Sequence, residues 1–110
     1  MSMPLKWEFP GGKVEPGESA EQCLKRELME ELNIQVDLVR KLDSQPYHYP
    51  DFSIRLIPFV AALTSGDIVL HEHCAYRWLT TDELPHVDWA AADVPVLNAF
   101  LEYYNREMPR

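Results

Sequence analysis

Residues 11–34 read GGKVEPGESAEQCLKRELMEELNI, and the reading of this stretch decides the fold. Ser19-Ala20-Glu21-Gln22 has the spacing of a capping box, in which Ser19 accepts from the third helical N–H and Gln22 reaches back. From there to Leu32 neither Gly nor Pro interrupts a run of good helix formers, and Asn33 suits a left-handed terminator. Glu27, Glu30 and Glu31 are spaced i, i+3, i+4, so they project from one side of that helix. At about 100° per residue, Glu27 and Glu31 fall between Cys23 and Leu24, next to Ala20, and interrupt the inward arc. A solvated acidic face, the ordinary form of such a cluster, would place them opposite the leucines. Three like charges this close cost roughly a few tenths of a kcal/mol per pair, and only Arg26 offsets that locally. Carboxylates at the edge of a core call for a cation, and hard oxygen ligands select Mg2+ or Mn2+.

Outward from the helix, Lys6 to Phe9 is strand-like and ends in the turn Pro10-Gly11-Gly12, where backbone groups can approach a ligand. Glu15-Pro16-Gly17 is a second turn. Beyond the helix, Ile34, Val36 and Leu38 alternate with polar neighbours as in a short strand. Tyr47-His48-Tyr49 is a further strand, stopped by Pro50-Asp51. Ser53 to Leu63 is the most apolar run and is expected to be central, with Pro58 at a bulge or an edge. Thr64 to Asp67 reads as a turn, Ile68 to Leu70 and Tyr76 to Leu79 as short strands. Thr81 to Leu84 starts a helical turn, and Val94 to Tyr104 is a C-terminal helix opened by Pro95. Strands mixed with two helices indicate an α/β or α+β sandwich.

The 110 residues, 46% hydrophobic, suffice for one domain and not two, so 1–110 is expected to be a single unit. A net charge of −8 repels nucleic-acid backbones and anionic lipid, which argues against nucleic acid polymers and membranes as partners. A small polyanion remains compatible if metal ions screen it. Cys23 and Cys74 lack disulfide-rich spacing, and the N-terminus shows no signal-peptide pattern; a cytoplasmic location is expected. The His71-x-His73-Cys74 cluster suggests zinc only weakly, because ligands so close along a strand alternate sides and no second pair exists.

Taken together, Gly12-x5-Glu18-x7-Arg26-Glu27-Leu28-x-Glu30-Glu31-x-Asn33-Ile34 resembles the Nudix box, with box bounds 12–34. Every defined position matches except the last Gly, which is Asn33, the commonest substitute in left-handed backbone. Trp7-Glu8-Phe9-Pro10-Gly11-Gly12-Lys13-Val14-Glu15, His71 to Leu79 and Ala91 to Leu97 resemble the flanks in the MutT-like and CTP pyrophosphohydrolase-like subgroup. The resemblance implies a Nudix-type α/β/α sandwich with a mixed sheet. Only eleven residues precede Gly12, fewer than the family usually has. The resemblance therefore also implies a sheet without its usual N-terminal strand, whose open edge a second protomer would cover.

The family's residue roles carry over by position. Glu27, Glu30 and Glu31 would bind Mg2+ or Mn2+ with the Gly11 carbonyl, and Glu72 would add a carboxylate as ligand or base. Arg26 and Glu18 would orient the glutamates. Lys13 would contact the phosphates, and either Glu27 or Glu72 would take the proton. Asp93 would read the base, although a carboxylate there also suits a helix N-terminus. Phe9, Tyr49 and Phe52 could line a base pocket or simply join the core. The implied activity is conversion of a nucleoside triphosphate to monophosphate and pyrophosphate, on a CTP/dCTP-like pyrimidine or an 8-oxo-dGTP-like purine. Hydrolysis of another nucleoside diphosphate linked to a moiety X, or nucleotide binding without turnover, are the alternatives.

Overall fold

Ser19 makes the capping box that its spacing forecasts: its hydroxyl accepts from the Gln22 N–H at 3.1 Å, and the Gln22 side chain accepts from the Ser19 N–H at 2.8 Å. Helix α1 accordingly runs Ala20–Leu32, and Asn33 ends it in left-handed backbone, φ 60° and ψ 39°. The computed structural model describes residues 6–70 and 75–107. His71, Glu72, His73 and Cys74 lie outside them, so the zinc question and the placement of Glu72 do too.

The chain divides into two units. One comprises Pro10–Arg40 and Ala61–Trp78 and is organised around α1. Leu28, Leu32 and Ile34 form its buried cluster, with Leu24, Val36, Ile68 and Leu70 packed against them. Burying a leucine of this kind contributes roughly 1.5–3 kcal/mol. Strand β1 (Gln35–Lys41) pairs with β4 (Phe59–Ser65), and Thr64 donates its hydroxyl to the Gln35 carbonyl at 3.1 Å. The helix end is tied down twice. The Asn33 side-chain amide donates to the Asp67 carbonyl at 3.2 Å, and the Val69 N–H donates to the Leu32 carbonyl at 3.0 Å. Gly66 permits this closeness: a Cβ there would collide with the Asn33 carbonyl and the Ile34 backbone, and its φ of 108° suits glycine.

The other unit comprises Met1–Phe9, Lys41–Val60 and Leu79–Arg110. Strands β2 (Gln45–His48) and β3 (Ser53–Leu56) form an antiparallel hairpin pairing Tyr47 with Ile54 and His48 with Ser53. Helix α2 (Val94–Glu107) buries Val96, Leu97 and Tyr103, and Pro95 occupies its first turn as expected. Short 3-10 turns at Leu84–His86 and Ala91–Asp93 precede it. Trp7 forms a parallel bridge with Trp89. Two helices with antiparallel strand pairing realise the mixed α/β class read from the sequence.

Several strand expectations require correction. Ser53 to Leu63 is not one central strand: it splits at Ile57-Pro58 into β3 and β4, which have different partners. Pro58 lacks an N–H and cannot carry a ladder through; its carbonyl instead accepts from the Leu42 N–H at 2.9 Å. Thr64 and Ser65 belong to β4, so the turn begins only at Gly66. Ile68 to Leu70 packs on the α1 cluster without forming a strand, and Tyr76 to Leu79 forms none either. Lys6 to Phe9 contributes a single bridge instead of a strand.

Candidate active site

The turn that enters the box is built by Glu15-Pro16-Gly17-Glu18, where the Glu18 N–H donates to the Glu15 carbonyl at 3.1 Å. It places the Glu18 carboxylate under α1, where Arg26 meets it in a two-pronged pairing. Nε donates to one oxygen and Nη2 to the other, each at 2.8 Å. Such forked geometry is the strong form of the ion pair. The guanidinium, with help from the Glu15 N–H, holds the Glu18 carboxyl far below its ordinary range, at about 2. Reciprocally, Glu18 holds Arg26 protonated well beyond its usual range.

Arg26 also reaches the box glutamates. Its Nη1 lies 3.0 Å from Glu27 and 3.4 Å from Glu30, while Nη2 donates to the Lys13 carbonyl at 3.3 Å. One cation thus touches four carboxylates, counting Glu15 at 3.5 Å. The charges lie mostly in the second half of α1, whose last turn holds no basic residue to suit the helix dipole. The Glu27 side chain is 15% exposed, as enclosed as that of Glu18, against 59% for Glu30; Glu31 is half-buried. That agrees with the inward arc read from the sequence for Glu27 and Glu31.

Gly12 lies directly against Glu27. A Cβ on Gly12 would occupy the space of the Glu27 carboxylate. Behind it the buried Cys23 thiol faces the Gly12 carbonyl at 3.7 Å, and burial together with the nearby Glu18 charge pushes that thiol up. Loop, helix and carboxylate are therefore fitted to one another, a relation that residue spacing alone does not reveal.

Among the described residues, no group of three or more His, Cys, Asp or Glu converges at metal-holding distance. Arg26 Nη1 bridges Glu27 and Glu30 instead. The donors still suit a hard divalent ion in type. They are carboxylate oxygens one helical turn apart, in net excess over their single guanidinium partner, beside a glycine cradle open to backbone approach.

The remaining expected residues separate by unit. Gly11, Lys13, Arg26, Glu27, Glu30 and Glu31 belong to the α1 unit; Phe9, Tyr49, Phe52 and Asp93 belong to the other. Phe52 is 59% exposed and stacks on Tyr49 at 4.8 Å between ring centres, so it is no core residue. Phe9 stacks on Trp89 at 4.5 Å. Trp89 was not anticipated, and nothing local marks it, since its partner is eighty residues away in sequence. Half-buried Asp93 accepts from the Phe9 N–H at 3.1 Å. Burial raises it to about 6, the Phe9 N–H partly opposing and Glu8 adding to the rise.

The depressed Glu18 pKa sets a pH dependence. Its pairing stabilises the fold above the ordinary carboxylate value of 4.5, and that contribution disappears as pH falls toward about 2. Glu18→Gln is expected to lower the melting temperature at pH 7 and to flatten this acid limb. Melting curves between pH 2 and 7 check it; superimposable curves for the two proteins would refute the assignment.

The NUDIX domain model matches residues 2–100 of the chain. The chain is 39% identical over 95 residues to a CTP pyrophosphohydrolase of Escherichia coli (strain K12), covering 86% of this chain and 70% of that protein. It is 37% identical over 93 residues to an 8-oxo-dGTP diphosphatase of Buchnera aphidicola, covering 84% and 75% respectively. The solution structure of the E. coli ORF135 protein matches with a TM-score of 0.81 at 35% identity, covering 94% of this chain and 74% of that one.

Proposed function

Because the chain belongs to the NUDIX domain family, we propose that it is a divalent-metal-dependent pyrophosphohydrolase that converts a nucleoside triphosphate and water into a nucleoside monophosphate and pyrophosphate. The observation that carries this reading is the Glu27 carboxylate, enclosed against Gly12 and paired with an Arg26 that Glu18 holds in a fork. A carboxylate enclosed in so confined a place, with two more about one turn away, is suited to cations and phosphates and wasteful for a purely structural surface.

Glu27, Glu30 and Glu31 would hold Mg2+ or Mn2+, with the Gly11 carbonyl and Glu72 completing the set. When bound, the ion supplies charge that polarises a phosphate oxygen and eases water deprotonation. Lys13, at the exposed start of the box loop, contacts the phosphate chain. Water forms the new P–O bond as the anhydride P–O bond breaks, and its proton passes to Glu27 or Glu72. Arg26 and Glu18 keep the glutamates in register throughout. Asp93 and the aromatic residues Phe9, Tyr49 and Phe52 serve the nucleoside. Residues 1–110 act as one domain.

The relatives are named for CTP and for 8-oxo-dGTP. The substrate proposed here is correspondingly a CTP/dCTP-like or an 8-oxo-dGTP-like nucleotide. Pyrophosphate release from CTP, dCTP, 8-oxo-dGTP, dGTP and a nucleotide sugar, with and without magnesium, tests this. Turnover of a pyrimidine or oxidised purine triphosphate only with metal is the expected result. Sugar phosphate as product would shift the reading to a nucleoside diphosphate-X hydrolase. Nucleotide binding without any turnover would replace it with a binding module.

A further inference from the structure

In a parallel strand pair, hydrogen bonds from one residue alternate between its neighbours on the other strand. Trp7 begins such a ladder: its N–H donates to the Asp88 carbonyl at 2.9 Å, and its carbonyl accepts from the Ala90 N–H at 2.8 Å. The next rung would run from the Phe9 N–H to the Ala90 carbonyl. That carbonyl is already turned into the 3-10 turn, where it accepts from the Asp93 N–H at 2.9 Å. The Ala91 carbonyl is likewise taken, by the Val94 N–H. Both carbonyls are engaged in the turn, the Phe9 N–H instead meets the Asp93 side chain, and a half-buried N–H without a partner would cost about 1–3 kcal/mol.

We propose that Asp93 is a positioning residue, whose carboxylate supplies this absent rung and so fixes Phe9 where the chain enters the Pro10-Gly11-Gly12 turn. The contact is 3.1 Å from Phe9 N to Asp93 Oδ2. It is the last anchor available, because Pro10 has no N–H to donate. Two further contacts hold the same short segment: the Phe9 ring lies on Trp89, and Lys6 donates to Asp88 at 2.8 Å. One Asp93 oxygen is thereby committed to the backbone, independently of whether the other reads a base.

Amide hydrogen exchange on the full chain, followed by NMR, tests the assignment with Asp93→Ala and Asp93→Asn. In Asp93→Ala the Phe9 amide is expected to exchange roughly tenfold faster or more, the scale of a lost charge-assisted hydrogen bond. The Trp7 and Ala90 amides should change far less. Asp93→Asn should restore protection, since its amide oxygen can accept the same hydrogen bond. Should the alanine variant fail to fold, the wild-type Phe9 amide resonance decides: it should shift as Asp93 titrates near pH 6 and stay still in Asp93→Asn. Unchanged Phe9 exchange in a folded Asp93→Ala, or a wild-type Phe9 resonance indifferent to that titration, overturns the proposal. A change in preference between CTP and 8-oxo-dGTP in Asp93→Asn, with Phe9 protection intact, would assign the base-reading role to the second oxygen without disturbing this one.

Discussion

Glu27→Gln is expected to slow pyrophosphate release by roughly a hundredfold or more, the scale on which a positioned acid or base acts, while the protein remains folded. The amide is isosteric and still offers an oxygen to Arg26 Nη1, which lies 3.0 Å from the present carboxylate. Packing against Gly12 is likewise kept, because the shape of the side chain hardly changes. What disappears is one carboxylate charge at an enclosed point of the box, where the side chain is 15% exposed. Titration of Mn2+ binding separates the two ways this could act. Weakened Mn2+ affinity identifies Glu27 as a ligand; unchanged affinity with the same loss of rate identifies it as the base. Full activity would remove Glu27 from the chemistry, and the functional proposal with it.

The second large effect is expected at a residue with no side chain. Gly12→Ala puts a methyl group where the Glu27 carboxylate now sits. The obstacle is the far end of a flexible side chain, so Glu27 can swing aside at little cost to folding. Stability should change by no more than about 1 kcal/mol, the range of ordinary substitutions away from a core. Turnover should fall by roughly a hundredfold, as expected when a reacting group is misplaced by about 1 Å. Denaturant unfolding and initial-rate measurements on one preparation separate the two quantities. A variant with wild-type activity would show that Glu27 does not need its present position. One that unfolds would show that Gly12 serves the fold first.

How much of this was legible in the sequence depends on how far apart the partners lie. The limits of α1 were readable because a capping box and a left-handed terminator act within four residues. The box resemblance implied that Arg26 and Glu18 orient the glutamates; that they meet each other in a fork, eight residues apart, came from the structure. The break inside Ser53 to Leu63 was hidden, since a continuous apolar run looks the same whether it holds one partner or changes partner midway. Pro58 was the available clue, read as a bulge or an edge when it marks a division. Phe9 meets Trp89 and Asp93 across eighty or more residues of chain, and no spacing rule reaches that distance. The intimate fit of Gly12 to Glu27 escaped for another reason. A glycine in a turn ordinarily records backbone freedom, and here it records the room needed by another residue.

The β2–β3 hairpin carries a last consequence. The Tyr49 N–H donates to the Phe52 carbonyl at 2.8 Å, so hydrogen-bonded pairs recur at every second position and Pro46 opposite Arg55 is not among them. The N–H that proline lacks would have pointed away from β3, toward solvent. A foreign chain approaching that flank meets a gap where it would seek a donor, with Arg55 adding charge across the ribbon. Pro46 thus discourages self-templated fibre growth from a two-stranded ribbon that would otherwise invite it.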